Sequence, residues 1–113
     1  MARTPHARYP RRGEVYLVDL DKARPAVILS VDSLNRHAYD VCLVPFTTVQ
    51  HVKFSMRVLV KRGDGGLDHD CWAKCDQVTT LEKGFLRYPA LGVLSDHSFA
   101  AIQEQVKIAL GLT

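Results

Sequence analysis

Arg24-Pro25-Ala26-Val27-Ile28-Leu29-Ser30 sets a guanidinium and a proline at the head of an unbroken apolar run. A proline pushes the residue before it out of the helical region, so Arg24 is extended. Val27, Ile28 and Val31 are β-branched and suit a buried strand over residues 26–31, with Pro25 at its start or at a sheet edge. Upstream, Val15, Leu17 and Asp19 alternate with Tyr16, Val18 and Leu20. A first strand here is apolar on both faces, which suits a barrel or a sheet packed on two sides. Only Asp21-Lys22-Ala23 separates the two strands.

Downstream, residues 32–36 are polar and read as a turn or one helical turn. A third strand over residues 39–46 buries Val41, Cys42, Leu43 and Val44, ends near Pro45, and is followed by Thr47-Thr48. Residues 54–60 alternate Met56, Val58 and Val60 with Ser55, Arg57 and Leu59, as a half-exposed strand does. The glycine-rich stretch at residues 61–66 is a turn. Residues 72–78 read as a fifth strand, 79–83 as a short helix before Gly84, and 85–89 as a short strand or coil. Ser95 is a good N-cap, Asp96 complements the positive helix end, and Gly111 suits the position after the C-cap. Between them Phe99, Ile102, Val106 and Leu110 form an apolar stripe that packs on the sheet. Short strands, tight turns and one terminal helix predict a small, strongly bent sheet or partly open barrel.

With 47% apolar and 24% charged residues the chain has an ordinary globular composition. No apolar run approaches the ~20 residues of a membrane span, and the N-terminus has no signal-like apolar region, so the expected compartment is cytoplasmic. The net charge of +3 is concentrated in Arg3, Arg8, Arg11 and Arg12. Residues 13–113 carry eleven Lys+Arg against twelve Asp+Glu, so any anion site must be local. Residues 1–12 are expected to be a basic, flexible arm, and residues 13–113 a single domain. Three cysteines, Cys42, Cys71 and Cys75, indicate reduced thiols. No metal is expected: in a strand, Cys71 and Cys75 stand ~13 Å apart, too far for one tetrahedral ion. His37, His51 and His69 read as surface loop residues, and Trp72 as a core or interface anchor.

Four segments taken in order carry more than any one alone: residues 12–20 (RGEVYLVDL), 24–30 (RPAVILS), 44–48 (VPFTT) and 66–78 (GLDHDCWAKCDQV). With the closing helix and its LGL ending, the chain resembles the MazF/PemK family of toxins over nearly all of residues 11–112. The resemblance implies a mainly β fold with a C-terminal helix, an SH3-like small barrel of about five to seven strands, and a homodimer. It also implies a toxin paired with a cognate antitoxin, and cofactor-free, metal-independent cleavage of single-stranded RNA. In that reaction the ribose 2′-hydroxyl attacks the adjacent phosphate, leaving 2′,3′-cyclic phosphate and 5′-hydroxyl ends. The family's catalytic arginine falls on Arg24 and its threonine on Thr47. Thr48, Lys74, Asp76 and Gln77 fall at substrate-binding positions.

The residue types suit that chemistry. RNA carries its own nucleophile, and a guanidinium offers a charged fork to phosphate oxygens. Arg24 cannot serve as a base because arginine does not deprotonate in proteins. The chain departs from the family in its first loop, which lacks a Gly-Ser-Glu-Gln-like stretch before the arginine. No general base is assigned as a result. Two alternatives remain at this point: a gyrase-poisoning toxin of similar fold, and a catalytically weak RNA- and antitoxin-binding relative.

Overall fold

The structure, a computed structural model, describes residues 9–50 and 56–112. Among these the elements follow as β1 (Glu14–Asp19), β2 (Ala23–Ile28), α1 (Asp32–His37), β3 (Asp40–Thr47), β4 (Arg57–Val60), β5 (Cys71–Lys74), β6 (Thr79–Glu82), β7 (Leu86–Val93) and α2 (Asp96–Ala109). All pairings are antiparallel, in the order β4-β5-β3-β2-β1-β7, with β6 also paired to β3. This is the mainly β, small-barrel architecture with a closing helix that the strand pattern predicts.

β1 and β2 are apolar on both faces because each face meets a different part of the core. Val15, Val27 and Val44 pack with Phe46, Val60, Ile102 and Val106. Tyr16, Val18, Ala26 and Ile28 pack with Val41, Leu43 and Leu86. Each fully buried aliphatic side chain contributes roughly 1.5–3 kcal/mol by leaving water.

β3 changes partners along its length. Leu43, Val44 and Pro45 pair with Ile28, Val27 and Ala26 of β2, and residues 40–43 pair with β6 on the other edge. Phe46 and Thr47 pair with Ala73 and Trp72 of β5. The β2–β3 ladder stops at Ala26 and Pro45, next to Pro25. Pro25, whose backbone faces β3, has no N–H to carry the ladder to its next bonded pair.

Several boundaries differ from the sequence expectation. β2 begins at Ala23, so Arg24 and Pro25 lie within a strand. The fifth strand stops at Lys74, where Gln77 N donates to Lys74 O at 2.9 Å and closes a turn. Residues 79–82 form β6, not a helix, because β-branched Thr79 and Thr80 find a free edge of β3 to pair with. β7 runs eight residues through Pro89, which its position at the edge of the sheet tolerates. The fourth strand begins at Arg57; residues 54 and 55, read as its start, lie outside the described residues.

Of the expected arm, residues 1–8 also lie outside the described residues. Residues 9–12 are bound to the domain. Pro10 is fully buried, and the Tyr9 ring has the Arg11 guanidinium 4.5 Å and the Arg36 guanidinium 5.9 Å from its centroid. Arg12 donates to Leu29 O and to Gln103 Oε1, and its guanidinium lies over Phe99. Basic residues that read as solvated thus find acceptors at the junction of β1, β2 and α2.

α2 begins as expected at Ser95, whose hydroxyl accepts from Ser98 N at 3.2 Å. Its end is a Schellman motif, with Leu112 N bonded to Lys107 O, Gly111 N bonded to Ile108 O, and Gly111 at φ 71°. Ile102 and Val106 are buried, whereas Leu110, expected on the same stripe, is exposed at the cap.

The 63–67 loop is locked against this helix start and against β7. Asp64 accepts from Ser95 N at 2.8 Å, Ser95 Oγ at 2.9 Å and Ser98 Oγ at 2.5 Å. Burial alone would raise the Asp64 carboxyl, but these donors outweigh it and hold it below the ordinary carboxylate value. A depressed folded-state value adds stability above the unfolded-state value of ~4 and loses it on acidification. Asp64→Ala is therefore expected to cost about 1–2 kcal/mol at neutral pH. In urea unfolding at pH 7 and pH 3, the gap between wild type and variant should narrow at the lower pH. At Gly66, φ is 77° and a Cβ would come 2.1 Å from the Leu91 carbonyl oxygen. Gly66→Ala should cost about 2 kcal/mol or more in the same assay.

Candidate active site

Where β3 parts from β2, a cleft opens. Continuing the β2–β3 register past Ala26 and Pro45 would set Arg24 opposite Thr47, but no ladder forms there. Both residues instead line a cavity of about 460 Å³. Arg24, Thr47 and Lys74 are half-buried, and Thr48 is exposed. The turn after β1 adds Lys22, β4 adds Arg57, β5 adds Cys71 and Lys74, and the loop before β5 adds Asp68 and His69.

The local geometry prepares these groups for an anion. Thr47 Oγ1 accepts from Val49 N at 3.2 Å, which leaves its own hydroxyl proton to donate into the cleft. Arg57 Nη1 donates to Val49 O at 2.9 Å, so the 47–49 segment is held from β4. Arg57 lies directly opposite Lys74 in the β4–β5 register. Two like charges facing each other across a ladder oppose folding. Burial, then Arg24, then Arg57 lower the Lys74 ammonium below its ordinary value, against weaker opposing effects of Asp76 and Asp21. Three cations therefore converge. Neither Arg24 nor Lys74 is in an ion pair among the described residues.

The structure thus brings together four of the six residues singled out in the sequence: Arg24, Thr47, Thr48 and Lys74. Lys74 faces the cleft, not bulk solvent. Asp76 and Gln77 do not line it. Both are exposed in the turn after β5, where Gln77 O accepts from Thr79 Oγ1 at 2.9 Å. Asp76 reaches the site only through its field at Lys74.

Arg57, Lys22, Asp68 and His69 line the cleft without having been singled out for it. Arg57 is on the polar side of an alternating strand, but its pairing with Lys74 is a matter of register. His69, read as a surface loop residue, is exposed but stands on the cleft wall, its Nδ1 2.9 Å from Asp68 Oδ1. Cys71 is buried at the cleft floor; burial and the nearby Asp68 and Asp70 push its thiol up, so it stays protonated. Among the described residues no cluster of three or more His, Cys, Asp or Glu side chains is placed to hold a metal ion.

Comparison with known proteins bears on this arrangement. Residues 11–110 match the family model of the PemK-like, MazF-like toxins of type II toxin–antitoxin systems. Endoribonuclease MazF9 of Mycobacterium tuberculosis is 32% identical over 90% of this chain and 97% of its own length. A mycobacterial endoribonuclease solved with its cognate antitoxin superposes with a TM-score of 0.81 at 32% identity, over 92% of this chain and 97% of the other. The M. tuberculosis toxin MazF-mt6 superposes with a TM-score of 0.78 at 27% identity, over 88% of this chain and 98% of the other. With the barrel, the closing helix and the family match over residues 11–110, the chain belongs to the PemK-like, MazF-like toxins of type II toxin–antitoxin systems.

Proposed function

We propose that this chain is the endoribonuclease toxin of a toxin–antitoxin pair, cutting single-stranded RNA at the cleft between β2, β3 and β5. The convergence of Arg24, Arg57 and Lys74 on a cleft that also presents the Thr47 hydroxyl carries this reading. In the reaction the ribose 2′-oxygen bonds to phosphorus and the bond from phosphorus to the 5′-oxygen breaks, giving a 2′,3′-cyclic phosphate and a 5′-hydroxyl. The phosphorane between them carries two negative charges. The Arg24 fork and Arg57 neutralise its equatorial oxygens, and Thr47 donates a hydrogen bond. Lys74, whose lowered value makes it a stronger acid, hands a proton to the leaving 5′-oxygen. The chemistry needs no metal, because the nucleophile belongs to the substrate and the charge is met by side chains.

The same reading takes residues 13–113 as the functional domain, working as a homodimer in the cytoplasm and silenced by a cognate antitoxin. An acidic segment that folds onto the toxin suits these cations. The mycobacterial structure with its antitoxin supports this partner. Among the described residues no helix is long and apolar enough to cross a membrane.

The test is incubation of the purified protein with single-stranded RNA in EDTA, with mapping of product ends. Cyclic-phosphate and 5′-hydroxyl ends are expected. Arg24→Ala should lower kcat by about 10²–10³-fold and Thr47→Val by on the order of 10²-fold. Equal cleavage by Arg24→Ala, or RNA binding by wild type without product, would sink the proposal. Lys74→Arg tests the acid separately. The variant keeps the positive charge but a guanidinium holds its proton, so its rate should fall by about 10²–10⁴-fold with RNA affinity retained. A wild-type rate in Lys74→Arg would leave Lys74 a charge-neutralising role only.

A further inference from the structure

We propose that His69, held by Asp68, is the general base that takes the proton from the ribose 2′-hydroxyl. This rests on the ribonuclease reading and deepens it, since that reading leaves the base unassigned. His69 and Asp68 stand on the wall of the same cleft as Arg24, Thr47 and Lys74. His69 Nδ1 lies 2.9 Å from Asp68 Oδ1. With the Nδ1 proton donated to the carboxylate, the Nε2 lone pair is left to accept a proton. This is the arrangement of a base with an orienting group behind it.

The backbone beneath the pair is fixed on both sides. Leu67 is buried and its carbonyl accepts from Gly63 N at 2.8 Å. Asp70 Oδ1 accepts from Arg62 N at 2.8 Å, and buried Cys71 donates through Sγ to His69 O. An exposed imidazole on a pinned loop is open to substrate without having to be reorganised.

The competing acceptors around the cleft are poor. Asp76 is exposed in the turn after β5 and does not line the cleft. The Cys71 thiol stays protonated. Arg24 and Arg57 cannot deprotonate. The Asp68 carboxyl is held low, chiefly by its bond to His69, which weakens it as a base in its own right. In the balanced step His69 takes the 2′-proton as the new bond to phosphorus forms, and Lys74 supplies a proton to the departing 5′-oxygen. Solvent then resets both. The charged and titratable groups that line the cleft with His69 are Asp68 on its own loop, Lys22 and Arg24 from β1–β2, Arg57 from β4, and Cys71 and Lys74 from β5.

The test compares wild type, His69→Gln, Asp68→Asn, Asp76→Asn and the distant helix variant His97→Gln in single-turnover cleavage of RNA in EDTA, across pH and with RNA affinity measured. His69→Gln should lower kcat by about 10²–10⁴-fold with little change in affinity, and the acid limb of the pH profile should vanish. Added imidazole should restore part of the rate in His69→Ala, and Asp68→Asn should show a smaller loss. His97→Gln should match wild type. A His69→Gln rate within threefold of wild type, or loss of the acid limb in Asp76→Asn instead, overturns the base assignment alone. No cleavage by wild type overturns the ribonuclease reading and the base assignment with it.

Discussion

The arrangement turns on the point where β3 leaves β2. The β2–β3 ladder ends at Ala26 and Pro45, beside Pro25, and past that point β3 is paired on its other side, with β5. A strand that bridges two partners bends the sheet into a barrel and leaves a wedge at the split. Residues that a continued ladder would have placed side by side, Arg24 and Thr47, line a cleft. Fold and site both turn on one local event, the end of the β2–β3 ladder where Pro25 offers no donor.

The rest of the structure makes that wedge rigid. Apolar residues on both faces of β1 and β2 feed two core clusters, so the strands cannot lift from either side. Asp64 ties the glycine-rich loop to the start of α2, and Arg12 ties the start of β1 to the far side of that helix. The loop that carries Asp68 and His69 continues directly from this anchored segment. Packing far from the cleft therefore reaches it through a short, well-bonded path.

Charge at the cleft works against folding and favours an anion there. Arg57 across from Lys74, with Arg24 close enough to lower the Lys74 ammonium, is an arrangement that a purely structural sheet would avoid. The protein as a whole is nearly neutral outside its first residues. A small patch of convergent cations on a neutral body favours an anion at one place over loose binding everywhere.

Much of this was legible in the sequence: the two-faced strands, the N-cap at Ser95, the glycine after α2, and the Arg24 and Thr47 positions carried by ordered motifs. These are local signals, set by backbone stereochemistry, hydrophobic period and residue type within a few positions. What the tertiary structure decided was non-local. Residues 79–82 became a strand because β3 had an edge to offer. Arg12 is held against the domain because a carbonyl and an aromatic ring distant in the chain, Leu29 O and Phe99, lie within its reach. Arg57 joined the site, and Asp76 and Gln77 fell outside it, through strand register and a turn that closes after Lys74. Register depends on pairings between distant segments, and where strands are apolar on both faces the hydrophobic pattern alone does not fix it.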